Sequence, residues 1–294
     1  MFSIFFMTKY LPKKIHIETV LGCNSRCIMC PNSEEKTVPI KKMKGSLFEK
    51  IIKDIISVTS ITSIKLSVNG ETLLDDKIVE KILFIKKRKK IRITFNTNAF
   101  LLNERLSRRL IKSGLDRINF HISGFSPKIY QKVMAGLSRK KVFGNILDFQ
   151  KIAKENNSKI VMAIKYVIIK ENAIELQKAK KFWEHKGFLF RPDILDSRIG
   201  SLKKYNRLQL KRSKKTLSAC PLIYEHFFIR YNGDIVTCWS DWYSRRIMGN
   251  MKKEKILDIF NNRKFNQLRR ELLRGRKLSK SICADCSWED KDAK

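Results

Sequence analysis

Between Ile15 and Phe190 short apolar runs alternate with stretches patterned for helices, and no other feature of the chain constrains its fold as much. Ile15-His16-Ile17-Glu18-Thr19-Val20 reads as a first strand. A helix over Ser46 to Val58 follows, with Leu47, Phe48, Ile51, Ile52, Ile55 and Ile56 at helical spacing. Strands are then expected at Ile64 to Val68, Ile91 to Phe95, Arg117 to Ile122, Lys159 to Ile169 and Phe188 to Phe190. Helices are expected at Asp76 to Lys87, at Asn103 to Lys112 closed by Gly114, near Pro127–Met134, at Lys141–Glu155, and at Glu171 to Lys186 closed by Gly187. Parallel strands need crossover connections, so repeated βα units imply a parallel sheet covered by helices. Six strands are too few for a closed eight-stranded barrel. The expected class is therefore α/β, a partial (β/α)6 TIM-like barrel or open curved sheet, with ligands at the carboxyl ends of the strands.

Composition shifts near Ser201. Residues 201–219 are polar and basic and read as a bridge, which places a boundary between 1–200 and a smaller C-terminal domain, 201–294. In that domain Phe227-Phe228-Ile229-Arg230-Tyr231-Asn232-Gly233-Asp234-Ile235-Val236 carries Asn-Gly between two apolar runs, a strong hairpin signal. Helical segments at Glu254–Asn261 and Phe265–Arg274 come next.

The chain has 294 residues and 43% hydrophobic content, enough for a substantial core. Lys and Arg number 63 against 28 Asp and Glu, a net charge of +35. Such a surface attracts nucleic acid, anionic membrane or phosphorylated substrates. The basic residues are spread out, however, with short clusters such as Lys86-Lys87-Arg88-Lys89-Lys90 and Lys211-Arg212-Ser213-Lys214-Lys215, and no interleaved aromatics and glycines mark an RNA-binding signature. No nucleic-acid partner is expected, while a phosphorylated or nucleotide-linked substrate stays open. The opening Met-Phe-Ser-Ile-Phe-Phe-Met is too short to span a bilayer or to act as a signal sequence, and Met7 is an alternative start. No membrane association is expected. Free thiols suit a reducing compartment, so a cytoplasmic location is expected.

Seven cysteines fall into two groups. Cys23, Cys27 and Cys30 form a C-x3-C-x2-C run directly after the first strand. Three such thiolates can hold a cubane [4Fe–4S] cluster and leave its fourth iron without a protein ligand. Cys220, Cys238, Cys283 and Cys286 complete a set for a second cluster, or for an all-thiolate zinc site. Zinc at the first trio would need a fourth ligand such as His16 or His121, and the uneven spacing is wrong for a zinc ribbon. An odd count without a signal peptide argues against disulfides.

The first trio resembles the signature of radical S-adenosylmethionine (SAM) enzymes, and further motifs agree with it over nearly the whole chain. Met29 stands where that family usually has an aromatic residue against the adenine. Asn69-Gly70-Glu71-Thr72 resembles the family's Gly-Glu-Pro motif, which meets the SAM amino group, with Thr72 in place of proline. Thr97-Asn98-Ala99 resembles a Thr-Asn-Gly motif, and Ser123 matches a serine that contacts SAM. The resemblance thus implies SAM binding by Met29, Gly70, Glu71, Asn98 and Ser123. The C-terminal part resembles the auxiliary-cluster extensions called SPASM and twitch domains, through Cys220-Pro221, Asn232-Gly233-Asp234-x3-Cys238, Gly249-Asn250 and Cys283-x2-Cys286. Four cysteines there match the shorter twitch arrangement, and their intervals resemble those of twitch-bearing aminocyclitol alcohol dehydrogenases.

By this resemblance SAM is reductively cleaved at the first cluster to a 5′-deoxyadenosyl radical, which abstracts hydrogen from a substrate. A reducing partner such as flavodoxin or ferredoxin is implied. A four-ligand auxiliary [4Fe–4S] cluster has no vacant iron, which leaves it electron transfer or structure. The expected function is an oxidoreductase acting on a small sugar or cyclitol-like molecule, with the auxiliary cluster as electron acceptor. Arg198 and Asp241 are candidate catalytic residues at the substrate hydroxyl. A peptide or protein maturase and an RNA-modifying enzyme are the alternatives. Only 22 residues precede Cys23, too few for a leader-binding domain, which favours the small molecule.

Overall fold

The computed structural model describes residues 9–37, 39–210, 220–275 and 281–287; the opening apolar heptad and the basic cluster 211–215 lie outside them. Six parallel strands follow one another in sequence order across the sheet: β1 (Lys14–Ile17), β4 (Ser63–Lys65), β5 (Arg92–Thr97), β6 (Arg117–His121), β7 (Val161–Ile168) and β8 (Leu189–Ile194). Between β1 and β4 the chain also makes a small antiparallel ribbon, β2 (Val20–Leu21) with β3 (Lys41–Lys42). The crossovers are helical: α1 (Gly45–Ile56), α2 (Ile78–Lys86), α3 (Glu104–Lys112), the pair α4 (Pro127–Val133) and α5 (Arg139–Glu155), and α6 (Leu176–His185). The six strands and five helical crossovers expected from the alternation are therefore present.

Helix ends sit where local chemistry sets them. The side chain of Asn103 caps α3 by accepting from Leu106 N at 2.9 Å, and Ser126 and Ser138 cap α4 and α5 in the same way. Gly114 and Gly187 follow α3 and α6 with φ of +83° and +85°, a region L side chains rarely enter. Glu171 to Lys186 starts later than its apolar pattern suggests, because Ala173–Glu175 forms a 3₁₀ turn before α6.

The barrel is open. β8 does not return to β1, whose second edge instead takes β9 (His226–Ile229) in parallel, Lys14 opposite His226 and Ile17 opposite Ile229. β10 (Asp234–Val236) and β11 (Ile247–Asn250) extend the sheet antiparallel to nine strands. The Asn232-Gly233 turn joins β9 to β10 as the sequence predicts, with Gly233 at φ +90°. The C-terminal segment thus continues the sheet of the barrel. Two buried contacts reinforce the join: Glu18 N donates to Ile229 O at 2.8 Å, and the Arg230 guanidinium pairs with Glu18 at 3.1 Å.

Alternation along the parallel strands divides the sheet into two faces. Ile15, Ile17, Ile64, Ile93, Phe95, Ile118 and Phe120 point under the helices and are 0–1% exposed. The opposite face carries His16, Lys65, Asn96, Asn119, His121 and Lys165, which register pairs place side by side on neighbouring strands.

Three of the strand ends meet at one carboxylate. Glu71, 4% exposed, accepts Thr97 Oγ1 at 2.6 Å, Asn98 N at 2.7 Å and Leu73 N at 3.0 Å, while its own N–H donates to Gly22 O at 2.9 Å. Burial lifts this carboxyl above the ordinary range against the pull of the three donors. Beside it Gly70 lies so close to the ribbon that a Cβ would stand 2.2 Å from Val20 O. Glu71→Gln would turn an NH2 toward donors and should lower stability by about 1–3 kcal/mol in denaturant melts. Gly70→Ala should cost about 1–3 kcal/mol by overpacking, since backbone is what the methyl group meets.

Candidate active site

The ribbon opens into the cysteine loop through Gly22, at φ +104°, where a Cβ would press on Pro39 O at 3.0 Å. Backbone bonds then fasten the loop to the end of α4: Arg26 N to Ala135 O at 2.8 Å and Ile28 N to Val133 O at 3.0 Å. The Arg26 guanidinium gathers the carbonyls of Asn32 (2.9 Å), Lys36 (3.0 Å) and Glu35. These contacts hold Cys23, Cys27 and Cys30, all half-buried free thiols, within one turn of chain. Cys27 Sγ lies 3.0 Å from Ser25 Oγ and 3.6 Å from Met134 Sδ. Asn98 Nδ2 donates to Asn24 Oδ1 at 2.7 Å and approaches Cys23 Sγ at 3.8 Å.

Burial raises all three thiols, Cys27 to about 12, and neighbouring cysteines add to the shift at Cys23 and Cys27. Thiols held this way ionise only against strong positive charge, which a metal centre provides. Asn24 Nδ2, buried and without a partner, leaves a spare donor beside Cys23. Three clustered thiols and a spare amide donor fit an iron–sulfur cluster with one open iron.

Four more thiols gather at the C-terminal end. Cys220, Cys238 and Cys283 are buried and Cys286 is half-buried. Burial pushes Cys238 well above its usual value, and the charges of Cys283, Cys286 and Cys220 push it further, so Cys238 stands within electrostatic reach of the other three. Among the described residues no group of three or more His, Cys, Asp or Glu closes around a single metal ion. The chemistry of this donor set fits a polynuclear cluster with every iron ligated.

The other predicted site residues are placed as follows. Met29 is half-buried and packs on the apolar core from within the cysteine loop. Ser123, two residues beyond β6, is 1% exposed; its hydroxyl accepts Val167 N at 3.0 Å and its carbonyl accepts Asn172 Nδ2 at 2.7 Å. Both Glu71 oxygens are occupied within the protein. Asp241 is fully buried, with one oxygen on Arg245 N at 2.8 Å and the other on Arg246 N at 3.0 Å, so its carboxylate holds a turn. Arg198 has φ of +53° and Ile199 the same, a left-handed pair set by the bond from Arg198 N to Asp196 Oδ1 at 2.5 Å. Its charge lowers the Cys30 thiol and also acts on His121 and Lys65, so it stands between the cysteine loop and the inner face of the barrel. Ser197 next to it bonds Ser287 Oγ at 2.7 Å and Asp285 O at 3.2 Å, tying this point to the second cysteine group.

The inner face was not identified from the sequence. Lys165 Nζ pairs with Asp193 at 2.9 Å. Burial, then the charge of Lys165, holds Lys65 down to about 8; burial and the same lysines push His121 down to about 3 and keep it neutral. His16 Nε2 meets His226 Nδ1 at 2.9 Å and is likewise held well below its usual value by burial. The available signal was period two: strands buried on both faces read as nearly continuous apolar runs, and the polar residues alternating through β4–β7 depart from that pattern.

Comparison with known proteins agrees with this architecture. Residues 17–182 match the family described as the radical SAM superfamily, and residues 220–287 match an iron-sulfur cluster-binding domain, SPASM. The S-adenosyl-L-methionine-dependent 2-deoxy-scyllo-inosamine dehydrogenase of Niallia circulans is 22% identical over 277 residues, 93% of this chain and 92% of that protein. A probable GTP 3′,8-cyclase of Methanococcus maripaludis is 32% identical over 114 residues, 39% of this chain and 37% of that protein. Among solved structures, BtrN in complex with AdoMet and 2-DOIA superposes with a TM-score of 0.64 at 19% identity, covering 96% of this chain and 95% of that one. SuiB of Streptococcus suis bound to precursor peptide SuiA gives 0.71 at 15% identity, over 88% and 67%. These likenesses identify the fold as a radical SAM partial barrel. Among the described residues no helix is long and apolar enough to cross a membrane. With one family matched over more than half its length, the chain is an enzyme of the radical SAM superfamily, with S-adenosylmethionine and [4Fe–4S] clusters as its cofactors.

Proposed function

We propose that the protein is an oxidoreductase that dehydrogenates a carbinol carbon of a small sugar- or cyclitol-like molecule, with the chain divided near residue 200 into a barrel and an auxiliary-cluster domain. The observation that carries this reading is the alignment with a SAM-dependent dehydrogenase over nearly the full length of both chains. The gathering of four thiols about Cys238 supports it, because a fully ligated cluster is suited to taking up an electron.

Cys23, Cys27 and Cys30 hold the SAM-binding cluster, and Cys220, Cys238, Cys283 and Cys286 the auxiliary one. When bound, the first cluster with SAM would supply a 5′-deoxyadenosyl radical, and the auxiliary cluster an electron acceptor. The remaining work falls to side chains and backbone. Asn98, fixed by Asn24 and by the Glu71 carboxylate, orients the ligand beside Cys23. With its carboxylate engaged, Glu71 serves as the frame, and an ammonium is left to the backbone that Gly70 bares. Met29 packs on the adenine, while Ser123 keeps β6 and β7 in register below it. Arg198 donates to the substrate hydroxyl from beside Cys30. His121, kept neutral and with Nε2 unpartnered, accepts the hydroxyl proton. Loss of a hydrogen atom, a proton and an electron converts the alcohol to a ketone and returns the electron that initiated SAM cleavage.

Anaerobically reconstituted protein should hold about eight irons per chain, and replacing Cys23, Cys27 and Cys30 together by alanine should leave about four and abolish 5′-deoxyadenosine formation. Four irons with one zinc in the wild type would contradict the auxiliary-cluster assignment. Cys238→Ala should uncouple the reaction: 5′-deoxyadenosine continues to form, but the ketone, followed by mass spectrometry over a panel of polyols, falls at least about tenfold, the loss expected when a step lacks its acceptor. Ketone at the wild-type ratio to 5′-deoxyadenosine in that variant would remove electron acceptance from the proposal.

A further inference from the structure

The inner face of the barrel is cationic beyond what its own partners neutralise. The register of the strands sets Lys65 beside Thr94, Thr94 beside Arg117, His121 beside Lys165, and Lys165 beside Arg191. Lys65, Arg117 and Lys165, all half-buried, thus share this face with the half-buried carboxylate of Asp193, and Lys14, Arg92 and Arg191 lie on it exposed. That carboxylate is engaged by Lys165 at 2.9 Å. No hydrogen bond or ion pair holds the Lys65 ammonium among the described residues, and burial with the repulsion of Lys165 and Arg198 outweighs the attraction of Asp193 on it. Beside it His121 Nε2 is buried with no partner, and Arg117 Nε is too.

Holding a half-buried charge without a partner is costly, and neighbouring cations raise that cost. Folds retain such an arrangement where a ligand supplies the missing charge. The unpartnered Lys65 ammonium, with three N–H donors, points to a ligand with several acceptor oxygens, while the neutral His121 keeps Nε2 free to accept a proton. A phosphoryl group carries three acceptor oxygens and about −1.5 to −2 charges at neutral pH, and a single Lys165–Asp193 pair leaves room for that charge. An ammonium-bearing substrate would instead meet the repulsion of every cation on this face.

We propose that the barrel binds its substrate through a phosphoryl group seated on Lys65, with Lys165, oriented by Asp193, as the second cation. This deepens the dehydrogenase reading and rests on its placement of the substrate inside the barrel. The substrate is accordingly a phosphate ester of a sugar or cyclitol, or a nucleotide-linked sugar, and an amino sugar is disfavoured.

Calorimetric titration of the reconstituted holoenzyme with SAM present tests this directly. myo-Inositol 1-phosphate or uridine 5′-diphosphate should bind about tenfold or more tightly than myo-inositol and glucosamine, and which of the two binds separates a simple phosphate ester from a nucleotide link. Lys65→Met should weaken that binding about tenfold or more, and Lys65→Arg should restore most of it, with iron content and cluster absorbance retained in both. Lys53→Met, on the exposed side of α1, controls for the general positive charge. Equal affinity for the phosphorylated and neutral probes overturns the proposal. So does binding of glucuronate alone, or a Lys53→Met loss as large as that of Lys65→Met. A bound phosphate ester that yields no ketone would retain this site and dismiss the dehydrogenase. A ketone formed from a neutral polyol, without phosphate binding, would do the reverse.

Discussion

The Glu71 carboxylate is the constraint on which the active end of the barrel depends. It joins the 3₁₀ turn after β4 to the end of β5 through Leu73, Thr97 and Asn98, and its backbone N–H reaches Gly22 immediately before the first cysteine. Asn98 then carries the linkage to Asn24 and Cys23. Three segments far apart in sequence are thereby fixed by one buried, multiply bonded acid. Hydrogen bonds to a charged group are worth more than neutral ones, so this node can set side-chain positions with the precision that radical chemistry requires.

A second dependence runs through β1. This strand is flanked by β4 on one edge and β9 on the other, and it feeds the cysteine loop directly. The buried Glu18–Arg230 pair and the bond from Glu18 N to Ile229 O secure that junction. On the far side, Ser197 bonds to Asp285 and Ser287, next to Cys286. The C-terminal segment is therefore braced against both ends of the six-strand array, and the two cysteine groups share one framework.

Much of this was legible in the sequence. The βα alternation, the Asn232-Gly233 hairpin and both cysteine groups are local patterns, and local patterns survive folding. What was not legible depends on register. His16 and Lys65, Asn96 and Asn119, and His121 and Lys165 become neighbours only once the strands are aligned, and nothing in a single strand announces a partner on the next. The two-residue strands of the ribbon are too short to show a period. Asp241 was a candidate at the substrate hydroxyl from its place after Cys238, and only the fold reveals that the amides of Arg245 and Arg246 occupy its carboxylate. Ser123 lies near its expected place, two residues past the strand end, yet its hydroxyl is also committed to the sheet, a contact made 44 residues away.

β8 closes the ordered strands on the side away from β9, with Leu189 and Ile194 exposed along it. Pro192 lies in this edge strand, opposite Tyr166. A proline has no N–H to offer, so it breaks the row of donors that would otherwise invite another strand. The gap left by six units is thus protected against growth into a larger sheet or pairing with a foreign chain. An unfinished barrel with one terminated edge stays open on that side without offering a further strand a place to pair.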